Sequence, residues 1–305
     1  MLFSIIIPAK NEQENIVLCL DSINKLAFHK DEFEIIVVDN GSDDNTVALV
    51  KTFAVNVYEK PELSLSELRN YGASVARGDV FAFLDADCVV TENWLNQAKS
   101  AFDDPDVGST GSTPVAPENG TWVEKVWSSF RTRRKNKCFT SWINSSNFIV
   151  RREMFVMVGG FNANVKTCED VDICMRLNKI CKILFDPSIR VTHLGEPKTI
   201  TQFFVKEIWR GKGSVSGLIS HGFSISELKS LMLPVYYMLI AISMIVSILL
   251  FNIDLFVILL IAYLFPAIVF SLWLIPKTKK YHYIIGYFLL FLIYASARAV
   301  SLFSR

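Results

Sequence analysis

The fold class is decided by the stretch Phe33-Glu-Ile-Ile-Val-Val-Asp39, an apolar run rich in β-branched residues that Asn40-Gly41-Ser42 brings to an end. A run that is apolar throughout, rather than at alternate positions, is typical of a parallel strand buried on both faces. Working outward, similar runs occur in Phe3-Ser-Ile-Ile-Ile-Pro8, in residues 55–58 and in Val80-Phe-Ala-Phe-Leu84. Segments with helical spacing separate them, over 15–26, 43–53 and 63–76. This alternation predicts an α/β fold with a doubly wound, mostly parallel sheet.

Composition divides the chain of 305 residues into two unlike parts. Residues 1–226 hold nearly all the charge, whereas Leu231 to Pro276 contain a single charged side chain, Asp254, and the mean hydropathy is +0.33. We therefore expect one globular domain followed by a membrane-embedded tail. The 31 basic residues balance 30 acidic ones. Without a positive surplus, a nucleic-acid partner is not expected.

The cysteines and the N-terminus indicate a domain that stays in the cytosol. The six cysteines form no C-x-x-C pair, which favours reduced thiols over a disulfide framework or a zinc site. The apolar run from Leu2 to Ile7 has no basic flank and stops at Pro8, so it is too short for a secretory signal.

Polar side chains follow three of the predicted strands. They are Lys10-Asn-Glu12, Asp39 to Ser42, and Asp85-Ala-Asp87. The carboxyl ends of parallel strands meet at one edge of a sheet, which is where ligands bind in such folds. Each acid alone is equally well explained as a helix cap or turn residue. Their recurrence at the same topological position favours a binding site.

Asp85 and Asp87 suggest a metal ion. They close the fourth predicted strand, and the alternation of side chains along a strand predicts that both carboxylates point to the same face. Oxygen ligands of this kind suit Mg²⁺ or Mn²⁺, which takes one or two protein carboxylates and completes its shell with substrate phosphates. A bare D-x-D is a weak signal, but its place after a fourth parallel strand strengthens it.

As a set, the motifs resemble the family 2 glycosyltransferases of the GT-A fold. They occur in the family's order over roughly residues 1–215: Ser4-Ile-Ile-Ile-Pro8 with Asn11-Glu12, Val37 to Thr46, Arg69-Asn-Tyr-Gly72 with Ala76-Arg-Gly78, Asp85-Ala-Asp87, Gly159-Gly-Phe161 and Glu169-Asp170. The resemblance implies transfer of a sugar from a UDP- or GDP-type donor, with inversion at the anomeric carbon.

The resemblance also implies roles for residues on the donor side. Asp39 would contact the nucleobase, and Pro8 and Glu12 would line the nucleoside pocket. Arg69 matches a position near the base and phosphates of the donor, and Asp85 would lie against the ribose or the sugar.

For the metal and the base, the resemblance implies three further roles. Asp87 would hold a divalent cation that bridges the two phosphates. His193 stands where related enzymes often place another metal or phosphate contact, although a lone histidine after a strand is more often structural. Asp170, paired with Glu169, would be the general base that deprotonates the acceptor. The alternative is that Glu169 and Asp172 are simply acids favoured in the first turn of a helix.

An acceptor hydroxyl needs a base, whereas an already ionised phosphate acceptor does not. The intact Glu169-Asp170 pair therefore favours a hydroxyl on a lipid-linked acceptor, and a polyprenyl-phosphate acceptor is the alternative. Downstream, Trp209-Arg-Gly-Lys-Gly213 resembles the Gln-x-x-Arg-Trp region of the family without reproducing it, which argues against processive polymerisation. Arg210 and Lys212 would bind the departing diphosphate, or belong to a basic stretch at the membrane surface.

A second basic cluster precedes the predicted base in the chain. It consists of Arg131, Arg133, Arg134, Lys135 and Lys137. This cluster would face acidic headgroups or the phosphates of a lipid-linked acceptor, and a solvated helix face is an equally good interpretation.

The tail predicts three membrane spans, over 231–251, 255–275 and 281–303. Lys277, Lys279 and Lys280 follow the second span, so the positive-inside rule places them in the cytoplasm. Counting back across two spans places the catalytic domain on the same side of the plasma membrane. Arg298 in the third span would snorkel, or pair with a lipid phosphate or another helix.

The predicted organisation has three parts: a catalytic domain over 1–199, an interfacial connector over 200–228, and a transmembrane domain over 229–305. The predicted activity is transfer of a sugar to a hydroxyl of a glycan on polyprenyl diphosphate. A catalytically silent nucleotide-sugar-binding scaffold is the alternative from another class, and it would be expected to lack the Asp85/Asp87 or Glu169/Asp170 site. A transporter is disfavoured, because the spans lack paired broken repeats and ionisable pathway residues.

Overall fold

A computed structural model describes residues 1–132, 134–165, 168–221 and 225–303, with the backbone alone in 212–221 and 225–230. The chain forms two compact units. The first comprises residues 1–117 and 134–195, and the second comprises residues 118–133 and 196–305. Arg133 and residues 222–224 of the predicted connector lie outside the described residues, as does the side chain of Lys212. The domain boundaries at 199 and 228 stay predictions.

The first unit contains the strands of the fold. These are β1 (Phe3–Ala9), β2 (Phe33–Asp39), β3 (Asn56–Glu59), β4 (Val80–Leu84), β5 (Cys88–Val90), β6 (Val107–Gly111), β7 (Cys138–Phe139), β8 (Asn147–Arg151), β9 (Lys182–Phe185) and β10 (Val191–His193). The helices of both units are α1 (Ile16–Asn24), α2 (Thr46–Val50), α3 (Leu65–Val75), α4 (Trp94–Ala101), α5 (Trp122–Arg131), α6 (Arg152–Met157), α7 (Glu169–Leu177), α8 (Ile200–His221), α9 (Ile225–Leu249), α10 (Ile253–Thr278) and α11 (Ile284–Ser301).

Eight strands form the main sheet in the order β3-β2-β1-β4-β8-β6-β9-β7. The pairs β2/β3, β1/β2, β1/β4 and β6/β9 are parallel, whereas β8 runs antiparallel to both β4 and β6. The predicted α/β fold with a mostly parallel sheet is therefore confirmed. Strands β5 and β10 form a separate antiparallel pair.

Apolar side chains cover the two faces of the sheet, as continuous apolar strands require. All five residues of β4 are buried, and successive positions contribute to opposite clusters: Ala82 packs with Ile5 and Ile7, whereas Phe83 packs with Ile6 and Phe148. This two-sided burial holds the polar residues that follow the strand at the edge of the sheet.

Helix α3 lies against the sheet because of its sequence at two points. Ser64 caps its first turn in a reciprocal capping box with Glu67, which satisfies otherwise unpaired backbone N–H groups. At Gly72, an added Cβ would lie 2.4 Å from Cγ2 of Ile6, so a glycine is needed for this close approach. This packing buries Arg69, which lies one turn earlier in α3.

One structural argument from the sequence is wrong. Strand β4 ends at Leu84, and Asp85 to Asp87 form a turn before β5 rather than a continuation of the strand. The alternation of side chains along a strand therefore does not govern the D-x-D pair, and the two carboxylates contact different groups.

The second unit is helical and has its own apolar core. Helix α5 contributes Val123 and Val126, which pack with Phe203 of α8, Leu274 of α10 and Tyr287 of α11. Among the described residues, three helices are long and apolar enough to cross a membrane, over Leu231–Leu249, Ile253–Thr278 and Tyr281–Ser301. The prediction of three apolar helices is confirmed.

Charged side chains are also buried in the second unit. Glu207 of α8 is fully buried and accepts hydrogen bonds from Arg298 of α11 at 3.0 Å and from Arg210 at 2.5 Å. Of the alternatives for Arg298, the structure therefore shows pairing with another helix. A buried carboxylate between two cations gains attraction that opposes its desolvation.

Candidate active site

Arg69 joins three of the predicted motifs. Its side chain is 1% exposed, and its guanidinium donates to Oδ1 of Asp85 at 2.8 Å and to Oε1 of Glu169 at 2.9 Å. The same guanidinium lies over the ring of Phe161, 5.4 Å from its centroid. Burial alone would lower the pKa of Arg69, but the charges of Asp85 and Glu169 outweigh burial and raise it. Arg69 is therefore a charged link between the turn after β4 and the start of α7.

Asp170 has the environment expected of a proton acceptor. Burial raises the pKa of its carboxyl from 3.8 to about 6, and the charge of Glu169 adds to the rise. The backbone N–H of Val171, which donates to Oδ1 of Asp170 at 2.8 Å, opposes the rise, as do Arg69 and the indole of Trp142. A carboxyl with a pKa near 6 is ionised at neutral pH and is a better proton acceptor than an ordinary aspartate.

The other acids at the start of α7 have structural partners. Glu169 accepts from Ser145 Oγ at 3.1 Å as well as from Arg69. Asp172 forms an ion pair with Arg176 one turn later, and Arg176 also donates to backbone carbonyls before the helix. The interpretation as a helix-terminal acid therefore suits Asp172, whereas Asp170 differs from both neighbours.

Asp87 and His193 lie together because β10 pairs with β5. The register places His193 opposite Cys88, the residue that follows Asp87. Nε2 of His193 is 3.6 Å from Oδ1 of Asp87, too long for a hydrogen bond. Nδ1 of His193 is buried and has no hydrogen-bond partner within the described part of the chain. An added Cβ at Gly195 would lie 1.9 Å from Oδ2 of Asp87, so this glycine makes room for the carboxylate.

These residues fit a divalent cation. Asp87 and His193 offer an oxygen and a nitrogen at a spacing that leaves room for an ion between them, and a carboxylate with an imidazole suits Mn²⁺. Asp87 and His193 are the residues that would hold it.

The predicted nucleoside residues lie at the ends of β1 and β2. Asp39 is buried, and its two carboxylate oxygens accept from the backbone N–H of Ser42 at 2.8 Å and from the Ser42 hydroxyl at 2.5 Å. Pro8 is buried in β1, in register with Val38 of β2. Both residues shape this edge of the sheet, and their contacts with a nucleoside stay predictions.

Glu12 belongs electrostatically to the D-x-D turn. Burial raises the pKa of its carboxyl, a hydrogen bond from Asn15 opposes the rise, and the charges of Asp87 and Asp85 add to it. The first unit therefore brings Glu12, Arg69, Asp85 and Asp87 into one network of charge.

Arg210 belongs to the second unit, where its guanidinium pairs with Glu207 and lies 3.7 Å from Glu196. Its role toward the donor stays a prediction. The basic cluster is divided between the units: Arg131 pairs with Glu196 in the second, and Lys137 pairs with Asp186 in the first at 3.3 Å.

Sequence reasoning missed three residues of the site. Ser145 donates a hydrogen bond to Glu169 from the loop before β8, Trp142 of the same loop lowers the pKa of Asp170, and Gly195 makes room for Asp87. The first two lie in no motif, since their contacts depend on how a loop folds back. Gly195 carried a signal, because a glycine close to a strand end, here two residues after β10, is typical of close approach by another group.

The protein-family model "Glycosyl transferase family 2" matches residues 4–157, half of the chain. A second family model, "Glycosyltransferase like family 2", matches residues 120–211. The chain belongs to glycosyl transferase family 2. Its resemblance to that family, with the GT-A fold, is thereby confirmed.

Known relatives and structures agree with this. The chain is 30% identical over 179 residues to "Glycosyltransferase AglE" of Haloferax volcanii, covering 55% of this chain and 58% of that relative. The chain thus spans less than two thirds of that relative's length. Its fold is similar to that of the mannosyltransferase PcManGT from Pyrobaculum calidifontis in complex with GDP-Man and Mn²⁺, with a TM-score of 0.64 and 17% identity over 98% of this chain and 86% of the other.

A second structure with a similar fold is residues 1–349 of S. aureus TarS in complex with UDP-GlcNAc. Its TM-score is 0.52, with 18% identity over 70% of this chain and 67% of the other. At these identities the likeness establishes the fold alone.

Proposed function

We propose that this chain is a membrane-anchored, inverting glycosyltransferase that moves a sugar from a nucleotide diphosphate donor to a hydroxyl of a lipid-linked acceptor. The observation that carries the proposal is the Asp170 carboxyl, whose pKa is raised to about 6, beside a Glu169 that Arg69 ties to Asp85. This arrangement supports a base held at a set position relative to the donor side of the site. The proteins of similar fold in complex with UDP-GlcNAc or GDP-Man support a UDP- or GDP-type donor.

In this proposal Asp170 takes the proton of the acceptor hydroxyl as its oxygen attacks the anomeric carbon. Arg69 and Glu169 hold the base and Asp85 in position, so that less ordering is left for the reaction itself. Asp39, Glu12 and Pro8 form the nucleoside side of the site. A divalent cation held by Asp87 and His193, when bound, would neutralise charge on the departing diphosphate.

The acceptor is proposed to be a glycan on polyprenyl diphosphate, because a hydroxyl requires the base whereas an ionised phosphate does not. Three apolar helices support an acceptor that resides in a membrane. Lys277 in the last turn of α10, with Lys279 and Lys280 directly after that helix, supports a cytoplasmic catalytic unit at the plasma membrane, where nucleotide sugars are available.

The test compares Asp170→Asn with Asp87→Ala in the full chain in detergent. Donors and their nucleotide diphosphates are first identified by thermal shift with and without Mn²⁺, because a ligand that binds the folded state raises the unfolding midpoint. We expect Asp170→Asn to keep the donor-induced shift but to lose transfer by about 10²- to 10⁴-fold. Asp87→Ala should lose the Mn²⁺-dependent part of the shift together with transfer.

Glu153→Gln is the matched control, because Glu153 is an exposed acid in the first turn of another helix, α6. Its transfer rate should equal that of the unmodified chain. Near-normal turnover by Asp170→Asn, with Asp87→Ala inactive, would reject the hydroxyl acceptor in favour of a polyprenyl phosphate. No transfer and no thermal shift with any nucleotide sugar would reject the enzyme.

A further inference from the structure

Cys88 lies beside the residues that would hold the cation. Its Sγ is 3.8 Å from Oδ1 of Asp87, and Nε2 of His193 is 3.6 Å from that same oxygen. One donor atom from each of the three residues lies within 4.8 Å of the other two. The group results from the pairing of β5 with β10, which sets His193 opposite Cys88.

The separations between the three donor atoms are close to those around a tetrahedrally coordinated cation. A cation bound by a thiolate, an imidazole and a carboxylate at bond lengths of about 2.0–2.3 Å separates neighbouring donors by about 3.3–3.6 Å. The separation of 3.6 Å between His193 and Asp87 is at the upper end of this range, and the 3.8 Å between Cys88 and Asp87 is slightly above it. The donor atoms of Cys88 and His193 lie within 4.8 Å of each other. Small side-chain adjustments would therefore bring all three donors onto one ion.

We propose that Cys88 is a third protein ligand at this site, so that Asp87, Cys88 and His193 form a mixed oxygen, sulfur and nitrogen site for a borderline divalent cation such as Co²⁺ or Zn²⁺. The proposal deepens the proposed function, since it rests on the cation site at Asp87. Thiolate ligands favour softer ions, whereas Mg²⁺ prefers oxygen. Binding forms a sulfur–metal bond, releases the thiol proton to solvent and changes no oxidation state.

Cys19 offers a matched comparison. Like Cys88 it is fully buried, and its Sγ lies 3.9 Å from the backbone oxygen of Asp85, but it does not belong to the group of three donors. All six cysteines lie in the described residues, and Cys138 and Cys168 are the exposed ones. Serine at these two positions removes adventitious thiol ligands.

The test titrates Co²⁺ into the full chain with Cys138→Ser and Cys168→Ser, freed of metal by chelation and kept reduced under nitrogen. Thiolate bound to Co²⁺ gives an intense near-ultraviolet charge-transfer absorption that oxygen and nitrogen ligands do not. We expect this absorption to saturate at one equivalent of Co²⁺, to disappear in Cys88→Ser and to persist in Cys19→Ser. Co²⁺ affinity should fall at least about tenfold in Cys88→Ser, since even outer-shell partners of a metal are worth about 10- to 100-fold.

Mn²⁺ titration followed by electron paramagnetic resonance separates this inference from the proposed function. Mn²⁺ binding without the Co²⁺ absorption in the unmodified site would overturn the role of Cys88 and leave the cation site standing. An absorption that survives in Cys88→Ser would also overturn it. Failure to bind either ion would reject the cation site and the Cys88 role together. Because the first measurement uses a chain that keeps Cys88, its result does not depend on the folding of a Cys88 variant.

Discussion

Replacing Arg69 by methionine should destabilise the first unit and disturb Asp170, the proposed base. Methionine keeps an apolar stem against Phe161 but leaves Asp85 and Glu169 facing each other without the cation that separates them. Removing one member of a buried ion pair costs about 3–5 kcal/mol, because the remaining charge stays desolvated. The side chains of Asp85 and Glu169 are 29% and 14% exposed, so some solvent reaches both.

Because of this exposure, we expect a loss near the lower end of that range, about 3 kcal/mol in the free energy of unfolding. For a unit of this size, 1 kcal/mol corresponds to about 2–4 °C, so the unfolding midpoint should fall by about 6–12 °C. The measurement is thermal unfolding of the full chain in detergent at neutral pH. Because the charge of Arg69 lowers the pKa of Asp170, the acidic limb of the pH–activity profile should also move to higher pH in the variant.

Arg77→Met is the matched control. Arg77 pairs with Glu34 at 3.0 Å, but its side chain is 74% exposed, and pairs of this kind are worth about 0–1 kcal/mol. Its midpoint should fall by no more than about 4 °C. Equal effects of Arg69→Met and Arg77→Met, or an unmoved pH profile in Arg69→Met, would refute the view of Arg69 as a buried link that tunes the base.

Three further predictions concern the base, the cation site and the helical unit. The transfer rate should rise with pH as Asp170 ionises near pH 6, whereas the free energy of unfolding should fall by up to about 3 kcal/mol between pH 4 and 6, because the fold favours the protonated form of Asp170. Asp170→Asn should flatten both pH profiles. A fall in the free energy of unfolding that persists in Asp170→Asn would contradict this prediction. Gly195→Ala should weaken Mn²⁺ binding by about 10- to 100-fold, because the added Cβ would displace the carboxylate of Asp87. Titration with Mn²⁺ measures this affinity, and an unchanged affinity would contradict the close approach of Gly195 to Asp87. Glu207→Gln should lower the unfolding midpoint more than the control Asp254→Asn, because Glu207 is buried between two arginines whereas Asp254 is exposed. Similar midpoints in the two variants would mean that the buried carboxylate adds no stability.

The first four strands, β1 to β4, could be predicted because their signal is local. The bounds of β2 and β4 agree with the predicted ones, since unbroken apolar runs and the polar residues that end them are legible along the chain. Helix α2 is shorter than predicted, at Thr46–Val50 rather than 43–53, because the preceding residues form turns: Asp44 accepts from both the backbone N–H and the hydroxyl of Thr46. End residues with competing side-chain hydrogen bonds are the weakest part of such predictions.

The site could be predicted as a set of residues but not as a set of contacts. Motif order indicated that Arg69, Asp85 and Glu169 belong to one site, yet it did not reveal that Arg69 binds both carboxylates. Partners 16 and 100 residues apart along the chain leave no local pattern. The assignment of donor and base roles to these residues stays a prediction.

By itself, the sequence determined the α/β alternation, the polar strand ends, the family and the three apolar helices, because each depends on residue types at short spacing. Tertiary structure alone decided that Asp85 and Asp87 face different partners, since a turn replaced the expected strand at Leu84. It also brought His193 to Asp87 and Cys88 through the pairing of two short strands, and Arg298 to Glu207 through the packing of two helices. Such meetings depend on how distant segments bury their apolar faces, which no local stretch of the chain encodes.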